Sequence, residues 1–260
     1  MRRFILVCLV VLTPRVWADN LWTFVPQGRL FPVTFADPRE IRTMVAFTDT
    51  GKIQASVGSY LSLFSVNDEE ETWKFHFGLE GRGYLTMRQQ GGRFPLETVD
   101  GTIGLYSEYA QGDFQWQFRY THVSAHLADG STDSAIAFSR ETISLRTGYS
   151  PNENLHAYLG LHKIVHTMPA VSEWSFQLGA DYFFPLPGQT TPFIAADLRI
   201  QNEAAANPCF TLQLGFALHS KESVRRSFRA YYSYYTGADM RGQFYLQTNT
   251  QHSINLEFPL

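Results

Sequence analysis

Polar and apolar residues alternate position by position along most of this chain, up to its last residues. In Glu173-Trp174-Ser175-Phe176-Gln177-Leu178-Gly179-Ala180-Asp181-Tyr182 the even positions are all apolar, and the odd ones are Glu, Ser, Gln, Gly and Asp. Thr211 to Leu218 and Ser253 to Phe258 repeat the pattern. A period of two sends alternate side chains to opposite faces of a strand. It predicts strands near 41–48, 53–65, 73–85, 97–109, 113–126, 136–149, 154–166, 173–184, 191–202, 209–219, 225–235 and 243–258. The apolar face is rich in aromatics and the polar face carries charges. That inverts the soluble arrangement and predicts an all-β fold: a closed antiparallel transmembrane barrel of about 12 strands, with lipid outside and a polar lumen. An even strand number leaves both ends of the barrel chain on one side, the periplasm.

The ends divide the chain into three parts. Arg2 and Arg3, the apolar run from Phe4 to Thr13, and Ala18 before Asp19 read as a signal peptide over residues 1–18. Residues 19–40 contain Pro26, Pro32 and Pro38 with little alternation and are expected to form a lead-in segment in the periplasm. Residues 41–260 form the barrel. The run of apolar residues at the start is too short for a spanning helix, which needs about 20. Charged residues make up 17% and aromatics 15%, against about 25% charged in soluble domains. These features predict export to the outer membrane of a Gram-negative-type envelope. The expected partners are outer-membrane lipid, lipopolysaccharide and the barrel assembly machinery, for which Ile254, Leu256, Phe258 and Leu260 resemble a C-terminal signal ending in Leu where Phe is usual. A net charge of −3 gives no reason to expect nucleic acid. Cys209 is the only cysteine after residue 18, so no disulfide is expected within the barrel.

The expected lumen face carries Lys74, Arg82, Arg119, Arg146, Arg199 and Arg229 against Glu80, Asp100, Glu108, Glu173, Asp181, Asp197 and Glu257. A selective pore tends to display rings of one sign. A balanced set in a small barrel predicts ion pairs across a narrow or occluded lumen, in a structural or surface-interaction protein. The alternative within transport is a narrow channel. His156, His162 and His166 fall on the lumen parity and read as satisfied interior groups. Asp197, Arg199 and Arg229 read as an interior ion cluster.

One constellation carries possible chemistry. Phe114, Trp116, Phe118 and Tyr120 mark the lipid face of their strand, and the same parity sends His122, Ser124 and His126 outward. About 9–11 residues cross the bilayer, so a strand starting near Asp113 brings His122 to the outer boundary. In the following strand Ile143 and Leu145 face lipid, which makes Ser139 and Glu141 outward too. A register that sets His122 opposite Glu141 also sets Ser124 opposite Ser139. A hydroxyl, an imidazole and a carboxylate on one lipid-facing patch suit an interfacial acyl hydrolase: Ser124 as nucleophile, His122 or His126 as general base, Glu141 as the orienting carboxylate. The substrate would be a phospholipid or lipid A ester. Rim polarity without catalysis explains the same residues. Zinc is disfavoured, since two histidines and one carboxylate fall short of the four ligands of a structural site. No cofactor is assigned, and a calcium requirement is left open. Gly237 to Gly242 is a loop with no phosphate-binding context.

Several stretches together resemble an uncharacterised outer-membrane barrel family, domain of unknown function 1207. They are Leu30-Phe31-Pro32-Val33-Thr34-Phe35-Ala36-Asp37-Pro38-Arg39, His122-Val123-Ser124-Ala125-His126-Leu127-Ala128-Asp129, Phe138-Ser139-Arg140-Glu141, Thr191 to Leu198 and Gly237 to Tyr245. Ala125 and Ala128 stand where the family pattern has Ser and Gly, and Gly130 where it tends to have Glu. The resemblance implies a barrel in the outer membrane and no established activity. Locally, the two strands bearing His122, Ser124 and Glu141 are similar in outline to outer-membrane phospholipase A. That resemblance implies a His-x-Ser pair on the lipid-facing edge, with Glu141 here where that enzyme has Asn.

Overall fold

The structure, a computed structural model, describes residues 20–171, 173–201, 208–218 and 224–259. The expected signal peptide and Leu260 lie outside the described residues. Thirteen strands follow one another: β1 Asn20–Phe24, β2 Thr43–Thr48, β3 Lys52–Asp68, β4 Trp73–Arg88, β5 Leu96–Gln111, β6 Phe114–Leu127, β7 Ser139–Asn152, β8 Leu155–Met168, β9 Trp174–Phe183, β10 Thr190–Gln201, β11 Cys209–Leu218, β12 Phe228–Ala238 and β13 Thr248–Phe258. From β2 to β13 each pairs antiparallel with its neighbours, and β2 closes the ring by pairing with both β3 and β13. The twelve-stranded barrel is therefore complete. Closure leaves no open edge, the condition for a sheet in lipid, where each unpaired backbone group costs several kcal/mol. No helix among the described residues is long and apolar enough to cross a membrane.

The faces divide as the alternation predicts. Phe114, Phe118, Leu145, Leu159, Phe176, Leu178, Phe216 and Ile254 point out, while Gln117, Arg119, Arg146, Gln177, Asp197, Arg229 and Glu257 are buried inside. Two lumen assignments do not hold. Lys74 and Glu173 sit at strand ends, half-exposed, paired with Glu71 and Lys163 respectively. The end that holds residues 43 and 258 is called here the terminal end, and the opposite one the far end. β2 is short and meets β3 only over Ile53–Ser56. The edge of β3 toward the terminal end instead receives β1, with Phe24 opposite Phe64 and Asn20 opposite Asp68.

The segment between β1 and β2 corrects the sequence reading. The segment 19–40 is expected to lie in the periplasm, but its described part, from Asn20, begins with β1 on the wall, and from Gly28 onward the chain turns into the lumen. Phe31, Thr34, Phe35, Asp37, Glu40, Ile41 and Arg42 are all buried there. Two turns shape this plug: Asp37 N–H donates to the Thr34 carbonyl and Glu40 N–H to the Asp37 carbonyl, each at 3.1 Å. The Asp37 carboxylate accepts the Arg39 N–H at 2.9 Å across Pro38, a side-chain turn that suits Asp. Phe35 packs edge-on against Phe183, with centroids 5.4 Å apart, in a small apolar core with Phe193 and Tyr231. Phe31 fits because position 148 has no side chain: a Cβ on Gly148 would stand 3.2 Å from its ring.

Charge pairing fastens the plug to the wall. Glu40 accepts from Arg146 of β7 at 3.0 Å and from Thr34 at 2.5 Å, and Tyr60 of β3 also donates to it. Asp37 lies 3.7 Å from both Arg146 and Arg199. Arg29 pairs with Glu108 at 2.8 Å, and Arg42 with Glu257 at 3.3 Å. The expected cluster of Asp197, Arg199 and Arg229 is thus dispersed: Arg199 goes to the plug, Arg229 to Glu257, and Asp197 to Tyr158 and Gln177 at 2.7 Å each. Removing one partner of a buried ion pair costs about 3–5 kcal/mol, because the other charge is stranded. Glu40→Gln is expected to lower barrel stability by about 3 kcal/mol. The urea midpoint of the heat-modifiable gel band should fall, and Tyr60→Phe, which leaves both charges in place, should cost less.

Candidate functional site

The β6–β7 ladder continues unbroken to the far end, so parity is kept through the candidate residues. His122 pairs with Glu141 and Ser124 with Ser139, the register expected from the sequence. On the inner face Ala125 is buried, and Thr121 and Val123 line the lumen, which leaves His122, Ser124 and His126 on the outer face. No bulge interrupts the pairing of these two strands.

His122 Nδ1 stands 3.6 Å from Glu141 Oε1, both side chains about one-third exposed. The Tyr120 hydroxyl, one step down the same face, also interacts with the Glu141 carboxylate. The carboxylate is thereby held from two sides and can orient an imidazole. Ser124 lies one step up from His122, and among the described residues no hydrogen bond joins its hydroxyl to either histidine. Across the ladder it faces Gly101 of β5. A Cβ at position 101 would lie 3.5 Å from Ser124 Oγ, so the glycine leaves a notch beside the hydroxyl. His126 stands one step beyond, opposite Val99 and past the end of the β6–β7 ladder. It is exposed and is not brought to Glu141.

Sequence parity missed His166. The β7–β8 register runs from Thr142–Ile164 to Glu141–His166, so Val165 is the extra residue of a bulge. A bulge shifts the parity of everything beyond it. His166, expected in the lumen, is exposed beside Glu141, and His122, Glu141 and His166 form one row across three strands. The other two histidines of β8 stay inside: His156 meets Ser150 at 2.8 Å, and His162 is held by Ser144 at 2.8 Å and Gln177 at 3.0 Å. Among the described residues no group of three or more His, Cys, Asp or Glu is arranged to hold a metal ion.

The loop after β12 braces this rim. It contains a short 3-10 turn, Gly242–Phe244, and folds over the far mouth. Gly242 N–H donates to Asp100 at 2.8 Å, and the Gln243 amide donates to the carbonyls of Ala125 at 2.6 Å and Ile136 at 2.9 Å. Ala125 lies between Ser124 and His126, so the loop fixes the backbone of the candidate site from inside.

The model of a family described as "Protein of unknown function (DUF1207)" matches residues 12–259, and the chain belongs to that family. No curated protein matches the sequence. Among solved structures, the chain is similar to outer membrane phospholipase A from Escherichia coli, with 12% identity, a TM-score of 0.56, and 89% of this chain and 94% of that one covered. It is also similar to the Salmonella typhi outer membrane phospholipase dimer with bound calcium, with 10% identity, a TM-score of 0.57, and 85% and 93% covered. At these identities the likeness is one of fold: an outer-membrane barrel.

The orientation of the row is open to direct test. A polarity-sensitive probe attached at Ser124→Cys should be quenched by nitroxide-bearing lipids in reconstituted bilayers. At Ala125→Cys, 1% exposed in the native chain, labelling of the folded barrel should fail. Native Cys209 is buried and contributes little background.

Proposed function

We propose that this occluded outer-membrane barrel works at its outer surface, as an acyl hydrolase acting on lipid esters of the outer leaflet. The observation that carries the reading is the His122–Glu141 pair on the lipid face, with Ser124 one step away beside the Gly101 notch. Ser124 Oγ attacks the ester carbonyl carbon. His122 takes its proton and passes it to the leaving alcohol, and Glu141 holds the imidazole and offsets its charge. Water then releases the acyl group from Ser124 by the reverse sequence. The missing Ser–His hydrogen bond is compatible with a resting site, because such contacts commonly tighten only when substrate is bound. A carboxylate on the lipid face is tolerable near the interface and expensive at mid-membrane, which suits the depth of an ester group.

A second reading is favoured by that same missing bond: a non-catalytic surface-interaction barrel in which the row of His122, Glu141 and His166 is rim polarity. Acyl release separates the two. Purified protein with labelled phospholipid or lipopolysaccharide, with and without calcium, should release acyl chains. Ser124→Ala should reduce the rate by about 10³-fold or more, and Glu141→Gln by about 10²-fold with the heat-modifiable band intact. No release under any condition, or release that survives Ser124→Ala, leaves the non-catalytic reading.

Both readings share a non-conducting lumen, supported by the plug and its ion pairs. In planar bilayers the protein should give no large, stable, size-selective steps, and steps of that kind from wild-type protein would contradict occlusion.

A further inference from the structure

At the terminal end, away from the row just described, a cavity of about 540 Å³ lies between the plug, the edge of β3 and the chain entering β12. Its walls differ sharply in character. One side is apolar, with Val33, Leu61 and Phe258, and Leu61 and Phe258 also face outward from the barrel. The other side holds five guanidinium groups: Arg29, Arg42, Arg225, Arg226 and Arg229.

The carboxylates that these cations touch do not balance them. Arg29 meets Glu108, Arg225 meets Asp181 at 2.8 Å, and Arg42 and Arg229 share Glu257. Arg29 also lies 3.6 Å from Glu40, but that carboxylate is already answered by Arg146 and Arg119. Among the described residues, three carboxylates, Glu108, Asp181 and Glu257, thus stand against five guanidinium groups. Arg226 stands exposed at the opening, where its guanidinium takes the space a side chain on Gly28 would fill. Deeper in, Arg229 Nη1 and Ser227 Oγ have no hydrogen-bond partner among the described residues, where their own residues are 1% and 4% exposed. Buried donors are nearly always satisfied, and a buried excess of charge is costly without a counter-ion.

We propose that this cavity is a binding site for a phosphate anion, carried by the headgroup of an anionic phospholipid or free in solution. Arg229 and Ser227 would donate to its oxygens from within, and Arg226 would close over it from the mouth. A guanidinium fork matches phosphate geometry, which an ammonium does not. The apolar wall of Leu61 and Phe258 offers an acyl chain a way out to the lipid face.

The test uses the full chain refolded in detergent. Inorganic phosphate, dihexanoyl phosphatidylglycerol below its micellar concentration and, as control, dihexanoyl phosphatidylcholine are titrated calorimetrically. The unfolding temperature is followed in parallel, since a ligand of the folded state raises it. Phosphatidylglycerol is expected to bind. Arg226→Gln and Ser227→Ala, neither of which breaks an ion pair of the plug, should each weaken it about tenfold or more. Binding of phosphatidylglycerol alone assigns the headgroup as the source, and binding of inorganic phosphate as well assigns the free anion. Failure of both probes to bind, or affinity unchanged in both variants, overturns the proposal.

Discussion

The carboxylate of Glu40 is the group on which the interior depends. It is fully buried in a barrel with lipid outside, and its charge is answered by Arg146 and Arg119 from the wall and by Arg29 from its own segment. An isolated charge at such a depth would carry a large desolvation penalty. The debt is mutual, because Arg146 and Arg199 form their ion pairs among the described residues with the plug carboxylates Asp37 and Glu40. Glu257 in turn draws Arg42 from the plug, and Glu108 draws Arg29. Wall and plug are each left with stranded charges without the other, so the ring and its contents form one folded unit.

Filling the lumen in this way moves any activity to the surfaces. The polar groups inside are mostly engaged with one another, and the Phe35 cluster closes the terminal half with apolar contacts. What remains is the outer face near the far rim and the cation-lined recess near the terminal mouth. On the outer face near that rim His122, Glu141 and His166 interrupt an apolar surface that includes Phe118, Leu145, Leu161 and Phe176, and lipid tolerates such an interruption only near the headgroups. Their position follows from the strand pattern: they begin two residues above Tyr120, where the aromatic run ends.

Much of this was legible in the alternation, because side-chain parity and barrel closure follow from backbone geometry alone. The strands, the inward and outward sets, and the pairing of His122 with Glu141 could all be read that way. The plug could not. Its prolines and lack of alternation look like an extended leader, yet Phe31, Phe35 and Ile41 interleaved with Thr34, Asp37, Glu40 and Arg42 form a segment neither apolar enough for lipid nor polar enough to stay in water. That mixture was the available signal. His166 was misassigned because a bulge is a single-residue event, and no turn residue marks Val165. Glu173 was misassigned because it precedes β9, where parity has no meaning, and Lys74 because the second residue of β4 stands at the mouth of the barrel and reaches Glu71 of the preceding turn. Gly101 carried no signal at all; its role appears only once β5 lies beside β6.

Register links the interior to the outer row. On the inside Gln117 of β6 pairs with Arg146 of β7, and Arg146 Nε donates to Gln117 Oε1 at 2.9 Å. On the outside the same ladder, a few steps on, sets His122 against Glu141. A slip of one residue between these strands would turn every side chain of one of them to the opposite face. It would pull Arg146 from Glu40 and separate His122 from Glu141 in the same movement. The outward pair needs no hydrogen bonds of its own to be held in place, because the buried network on the reverse of the same two strands fixes their register. The loop that grips the Ala125 carbonyl adds a second anchor at the rim. A site assembled from wall strands in this manner is positioned by the fold itself, and its precision comes from the charges that close the lumen.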